Sequence, residues 1–257
     1  MNIKPTKIEK GTAYLVAKVS QQEIDLEKNH VLDEMIKSVT VKGFRQGKAP
    51  KSIAEKELDP NQLTNRLVTH IVTHLLDLAA KENQYRLLGR PVLEDLKNEK
   101  TGGWTIKLQL PLYPNLKLGK YSQYLQTKKP KQKIEDLYEI LLDQEKLDVS
   151  SLIIDEEVNY SLERLVTQAK SLNLPLDDYL KALGKSLDQI KKEYAESAEK
   201  SVKLDLILLE IAKQEKIDTT DQELIELAKV SNVPEKQYDQ LRSIINRRKT
   251  IDFLMKL

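Results

Sequence analysis

The chain has 257 residues, of which 40% are hydrophobic and 32% are charged, and its formal net charge is +2. This length accommodates one large or two modest domains, and the small net charge means that anion binding must come from local clusters of cations. Because the chain has no cysteine, disulfides, thiolate zinc sites and cysteine nucleophiles are excluded.

The N-terminal part of the chain predicts a strand followed by a helix. Residues 1–5 lack an apolar signal core, and no apolar run approaches membrane-spanning length, so we expect a cytoplasmic protein without a membrane partner. Residues 12–20 alternate in part and contain β-branched residues, which indicates a strand. Ser20 and Glu23 have the spacing of a capping box, and the apolar residues after them recur at helical spacing.

A glycine-bracketed basic stretch follows this helix. Its distinctive residues are Gly43, Phe44, Arg45, Gln46, Gly47, Lys48 and Pro50. Glycine permits backbone angles that other residues avoid, and proline suits the first turn of a helix, so we predict an ordered loop that holds Phe44 and Arg45 outward. Residues 37–56 contain six basic residues and one acidic residue, which favours an anionic partner such as a ribonucleoprotein. The alternative is a solvated turn whose Phe44 folds back into the core.

The next helix, predicted from about residue 61, carries two histidines. His70 and His74 lie four residues apart, which places them on one face as half of a metal site. No carboxylate at the next turn completes the motif, so we expect no metal. Two predicted strands, residues 87–96 and 104–112, complete an α+β domain over residues 1–114.

The second half of the chain predicts helices only. Residues 115–133 contain six lysines and no acid, which indicates a basic surface linker. Residues 134–257 then show helical apolar stripes throughout, as in an all-α domain with arm-like hairpins. Candidate contacts for unfolded polypeptides, which the same pattern would equally place in a packed core, are Leu204, Leu208, Ile211, Leu241 and Ile245.

The glycine-bracketed stretch resembles the ribosome-binding signature of the trigger factor family of bacterial ribosome-associated chaperones. The match comprises Gly43, Phe44, Arg45, Gly47 and Pro50, with Lys48 adding charge. Many members carry a lysine directly after the arginine, where this chain has Gln46. The resemblance implies an α+β ribosome-binding domain, docking on protein and RNA of the large subunit near the exit tunnel, and a helical domain that binds nascent chains.

The usual family member also inserts a prolyl isomerase domain of the FK506-binding type between these halves. No strand-rich stretch lies there, and Phe253 is the only phenylalanine after residue 114, so we expect no enzyme and no cofactor. The resemblance implies an ATP-independent chaperone for nascent or unfolded polypeptides, and a homodimer is compatible with it. Two alternatives stay open: a ribosome-independent holdase or assembly factor, and a structural RNA- or ribosome-binding protein without client activity.

Overall fold

The computed structural model describes residues 1–100, 102–116, 118–119, 121–127, 133–144 and 147–257. The chain divides into two units, Met1–Tyr113 and Pro114–Leu257. The first unit combines an antiparallel sheet with helices, and the described part of the second is helical, which confirms the predicted fold class.

The sheet of the first unit has the strand order β1-β2-β4-β3 among the described residues. Its strands are β1 (Asn2–Glu9), β2 (Thr12–Val19), β3 (Val92–Asn98) and β4 (Trp104–Pro111). Strands β2 and β4 pair in register with Leu15 opposite Leu108. On β2 and β4, buried and more exposed residues largely alternate, so one face of the sheet carries most of the apolar side chains.

Helices cover that apolar face. They are α1 (Gln21–Ser38), the short α2 (Lys51–Ala54) with a 3₁₀ turn after it (Glu55–Glu57), and α3 (Pro60–Asn83). The predicted capping box is confirmed at the start of α1, where the side chains of Ser20 and Glu23 bond reciprocally to backbone N–H groups. Leu15, Leu108, Ile71 and Leu75 are at most 1% exposed, so the core of this unit lies between the sheet and α1 and α3.

Two features of the sheet differ from the predictions. Strand β1 was not predicted, because Ile3 is the only buried residue among its eight and an edge strand with so few buried residues shows no alternation. The strand predicted over residues 87–96 begins at Val92, and Leu87 makes only an isolated bridge to Leu112. This late start agrees with the chemistry of Pro91, which has no backbone N–H to donate to a neighbouring strand.

The second unit is built around one long helix. Its helices are α4 (Tyr121–Thr127), α5 (Ile134–Gln144), α6 (Ser151–Ser171), α7 (Leu176–Leu183), α8 (Leu187–Gln214), α9 (Asp221–Ser231) and α10 (Tyr238–Leu254). The 28 residues of α8 extend for about 42 Å. Ile190 in its first half packs with α6 and α7, whereas Ile207 and Ile211 in its second half pack with α4, α5 and α10.

The segment predicted as an extended basic linker, residues 115–133, differs in the part that the structure describes. It contains α4, and Tyr121 and Leu125 of that helix are buried in the core of the second unit. The lysines dominated the sequence pattern, but the four-residue spacing of these two apolar side chains favours a helix with one packed face. Five of the six lysines of the segment lie outside the described residues.

Candidate docking loop

The loop between α1 and α2 is closed by its own hydrogen bonds. The Gly47 N–H donates to the Val39 carbonyl (3.2 Å), and the Lys48 N–H donates to the Arg45 carbonyl (2.9 Å). Gln46 adds a third link, because its Nε2 donates to the Ser38 carbonyl at 2.9 Å. These bonds tie the middle of the loop to the end of α1, so its backbone has a defined course.

Two glycines allow this course. Gly43 and Gly47 have φ values of +87° and +69°, in the region that residues with a Cβ rarely adopt. At Gly47 the constraint is also steric, because a Cβ would lie 2.6 Å from the carbonyl oxygen of Lys37, whereas nothing lies within 4 Å of a Cβ at Gly43. Gly47 is therefore required for closing the loop, and Gly43 only for its backbone angle.

The loop holds its apolar anchor inside and its aromatic residue outside. Val41 is buried in a small cluster with Ile36 and Ala54. Phe44 is 42% exposed and Arg45 is exposed. The structure therefore has the outward Phe44 of the first interpretation, not the alternative in which its ring joins the core.

The basic residues around the loop are all exposed. They are Lys37, Lys42, Arg45, Lys48, Lys51 and Lys56. Lys51 pairs with Asp33 of α1 (2.7 Å between Nζ and Oδ1), and this hydrogen bond lowers the pKa of the Asp33 carboxyl. Lys42, Arg45 and Lys48 form no ion pair with a described residue, so their charge is available to an anionic partner.

The five candidate contacts for unfolded polypeptides divide into two groups. Leu204, Leu208 and Ile211 are at most 5% exposed and belong to the core around α8. Side chains packed in this way meet a polypeptide only if the unit opens. Leu241 and Ile245 lie on α10 and are partly exposed.

Sequence reasoning missed a more accessible apolar surface on α9 and α10. We call Leu227, Val230, Ile244 and Ile245 the hairpin surface. Val230 is 83% exposed and Ile244 is 64% exposed, and the other two residues line a cavity of about 300 Å³ that also includes Val230. The helical stripes of residues 134–257 predicted arm-like hairpins, but helical periodicity does not show which apolar face is left uncovered.

Polar contacts hold this hairpin together. Arg242 of α10 donates to the Thr219 carbonyl and to the Asp221 carboxylate at the start of α9. Lys249 donates to Glu223 with 2.7 Å between Nζ and Oε2. That hydrogen bond, followed by one from the Thr220 backbone N–H, lowers the pKa of the Glu223 carboxyl. The apolar hairpin surface is thus presented by two helices that are fixed at one end.

The structure adds a neighbour to the two histidines that the sequence placed on one helical face. His70 and His74 have a carboxylate neighbour, Glu27, which comes from α1 and not from the same helix. A search for ligands within one helical turn could not find it, because Glu27 and His74 are 47 residues apart in the sequence. No described helix combines the length and the hydropathy needed to cross a membrane.

Two family models match the chain. The model described as bacterial trigger factor protein (TF) matches residues 1–144, and the model described as bacterial trigger factor protein (TF) C-terminus matches residues 119–256. The two matched ranges overlap, so together they account for residues 1–256 without a gap.

Individual proteins named trigger factor are also similar to the chain. The one from Rickettsia canadensis is 33% identical over 162 residues, which is 60% of this chain and 31% of that protein. The one from Carboxydothermus hydrogenoformans is 32% identical over 132 residues, 47% of this chain and again 31% of that protein. The chain thus spans about a third of the length of these relatives.

A solved structure shares the fold. The description of that structure reads "Promiscuous Substrate Recognition in Folding and Assembly Activities of the Trigger Factor Chaperone". Its TM-score with this chain is 0.62, at 12% sequence identity. The similarity covers 100% of this chain and 99% of that one.

Proposed function

The chain belongs to the trigger factor family, and from this premise we propose that it is an ATP-independent chaperone that docks on the ribosome through the loop of Phe44 and Arg45. Its helical unit would hold nascent or unfolded polypeptides. This activity places it in the cytoplasm, in part on ribosomes.

The observation that supports docking most directly is the fixed, outward presentation of Phe44 and Arg45. An exposed aromatic ring beside cations fits a surface made of protein and RNA, because the ring supplies apolar contact area and the cations attract phosphates. The loop does not have to be ordered on binding, since hydrogen bonds to the end of α1 already close it. Pre-organisation of this kind lowers the entropic cost of association.

Gln46 has a different role from the lysine that many family members carry at its position. Its amide nitrogen donates to the Ser38 carbonyl, so the side chain is used within the loop. Docking would therefore depend on Phe44 and Arg45, with Lys42 and Lys48 supplying longer-range attraction. Attraction of this type weakens as salt rises.

The hairpin surface is the best-supported site for client polypeptides. Its exposed side chains, Val230 and Ile244, lie on the part of the chain that the C-terminal family model matches. Isolated apolar side chains on a charged surface give weak, non-directional contacts, which suit a chaperone whose clients must leave without an energy source.

The contiguous family matches also support the absence of prolyl isomerase activity from this chain. Matches that overlap at residues 119–144 leave no intervening stretch for a catalytic domain. The rate of cis–trans exchange in a short proline peptide should equal the uncatalysed rate when the protein is added. Any protein-dependent acceleration would contradict this part of the proposal.

Co-sedimentation with bacterial ribosomes tests docking. We expect the wild type to bind and Phe44→Ala with Arg45→Ala to bind about tenfold more weakly or worse, since exposed aromatic and arginine anchors dominate interfaces. The matched control is Tyr160→Ala with Arg164→Ala, which likewise removes an exposed aromatic residue and an exposed arginine, but from α6. Equal binding by all three proteins would contradict docking through the loop, and no binding by any would favour a ribosome-independent holdase.

Suppression of aggregation of an unfolded model protein tests the client site. Val230→Ser with Ile244→Ser should reduce protection, because it removes the two most exposed side chains of the hairpin surface. Ile8→Ser with Leu26→Ser is the control, since these residues are 60% and 70% exposed on the first unit. If the wild type binds ribosomes but gives no protection, the protein is a ribosome-binding factor without client activity.

A further inference from the structure

The three histidines of the chain lie close together in the first unit, and two of them contact one carboxylate. His30 and Glu27 lie on α1, and His70 and His74 lie on α3. The ring centroids of His30 and His70 are 5.4 Å apart, and those of His70 and His74 are 4.6 Å apart. All three histidines of the 257-residue chain therefore lie at one place.

Glu27 lies between the two histidines of α3. One carboxylate oxygen, Oε2, is 3.0 Å from Nδ1 of His70, and the other, Oε1, is 2.9 Å from Nδ1 of His74. The carboxylate contacts both rings, but with only His74 is the contact aligned as a hydrogen bond. Nδ1 of His70 is buried and has no aligned hydrogen bond with a described residue.

This arrangement has the ligand chemistry of a transition-metal site. Imidazole nitrogens at positions i and i+4 of a helix with one carboxylate form a three-ligand set that binds Zn²⁺ and leaves a fourth position open. In a tetrahedral site with bonds of about 2.1 Å, neighbouring ligand atoms are about 3.4 Å apart. One ligand atom from each of Glu27, His70 and His74 lies within 4.8 Å of the others, so small side-chain movements would bring all three to one ion.

An approach for a hydrated ion is also present. A cavity of about 490 Å³ borders His70 and His74 and is lined mainly by polar side chains of α1 and α3, Glu34 and Asp77 among them. Arg66 lies in the same wall, so the three ligand side chains, and not the charge of the wall, would hold the ion. Glu27, His70 and His74 are only partly buried as residues, so the side-chain movements that gather the ligand atoms would also open the buried Nδ1 of His70 to the ion.

From these observations we propose that Glu27, His70 and His74 bind one divalent transition-metal cation of the Zn²⁺ type, with His30 as a neighbour of the site. The ion would link α1 to α3. The simpler explanation is that Glu27 only pairs with the two imidazoles. That arrangement leaves the buried Nδ1 of His70 without an aligned partner. A metal ion gives that atom a partner and binds one oxygen of the Glu27 carboxylate at the same time.

Titration of Zn²⁺ into the full chain, purified without a histidine tag, tests the site by calorimetry. We expect one ion per chain, with affinity weakened by more than about tenfold in Glu27→Gln, His70→Gln and His74→Gln, since even indirect partners of metal ligands contribute that much. Glu34→Gln is the matched control, because it removes a carboxylate of α1 that lines the same cavity but is outside the ligand set. It should bind Zn²⁺ as the wild type does.

Two further measurements keep the test independent of folding defects. Co²⁺ in place of Zn²⁺ should give the visible absorption of a four-coordinate nitrogen and oxygen site in the wild type and not in His74→Gln. Zn²⁺ should raise the melting temperature of the wild type and of Glu34→Gln more than that of Glu27→Gln, because an ion that binds only the folded state stabilises it. Absence of Zn²⁺ binding by the wild type, or equal binding by the folded Glu27→Gln and His70→Gln variants, would overturn the proposal.

Discussion

Replacing Gly47 by alanine should damage the docking loop far more than the same change at Gly43. At both positions a side chain is forced into the left-handed region, which costs about 1–2 kcal/mol. At Gly47 the new Cβ must also move away from the Lys37 carbonyl oxygen, from 2.6 Å to ordinary contact at 3.4 Å or more. The three nearest atoms, O, C and Cα of Lys37, belong to the backbone, so no flexible side chain can move aside.

That movement would break the hydrogen bond from the Gly47 N–H to the Val39 carbonyl, which contributes about 1 kcal/mol. We therefore expect Gly47→Ala to lower the free energy of unfolding of the first unit by about 2–4 kcal/mol, and Gly43→Ala by about 1–2 kcal/mol. Gly47→Ala should also weaken ribosome binding, because Phe44 and Arg45 would lose their fixed presentation.

Urea denaturation followed by tryptophan fluorescence measures this difference. Trp104 is the only tryptophan of the chain and packs against the core of the first unit, so its emission reports that unit. Equal stability of the two alanine variants, within about 0.5 kcal/mol, would refute the steric argument, since only Gly47 has the backbone contact. A stable Gly47→Ala variant with unchanged ribosome binding would further show that the loop course is not fixed by this glycine.

Two further predictions concern the second unit. Leu208 is 1% exposed, so Leu208→Ala should lower the stability of that unit by about 2–5 kcal/mol, seen as earlier loss of helical circular dichroism in urea. The Trp104 transition should not move, because the first unit has its own core, and a matching shift of both signals would contradict separate cores. For Glu223, the lowered pKa means that its hydrogen bonds with Lys249 and Thr220 stabilise the folded state above the ordinary carboxyl value of 4.5, and that this contribution is lost as pH falls through the lowered value. Glu223→Gln should therefore flatten the fall in stability between about pH 5 and pH 3, and an unchanged slope would contradict the assignment.

The features that sequence predicted well depend on neighbours along the chain. The capping box of Ser20 and Glu23 is fixed by a spacing of three residues. The outward Phe44 followed from two nearby glycines and a proline. Each of these depends on local backbone geometry, which a short stretch of sequence determines.

The features that sequence missed depend on contacts between distant segments. Glu27 could not be assigned to His70 and His74, because only the packing of α1 on α3 brings them together. Strand β1 shows almost no alternation and pairs only because β2 offers it an edge. Leu208 is buried and Val230 is exposed, although both lie on helices with recurring apolar residues. The difference depends on which other helices cover each side chain, and the local sequence does not show that.

The position of α4 and α5 determines how the chain can be divided for separate study. Both helices follow the first unit directly in sequence, yet Leu125, Leu137 and Ile140 are buried against α8 and α10. A fragment that ended after α5 would expose these side chains to water and invite aggregation. A fragment that began after α5 would uncover Ile207 and Ile211. Division after residue 113 preserves both sets of contacts. The fragments to express separately are therefore Met1–Tyr113 and Pro114–Leu257.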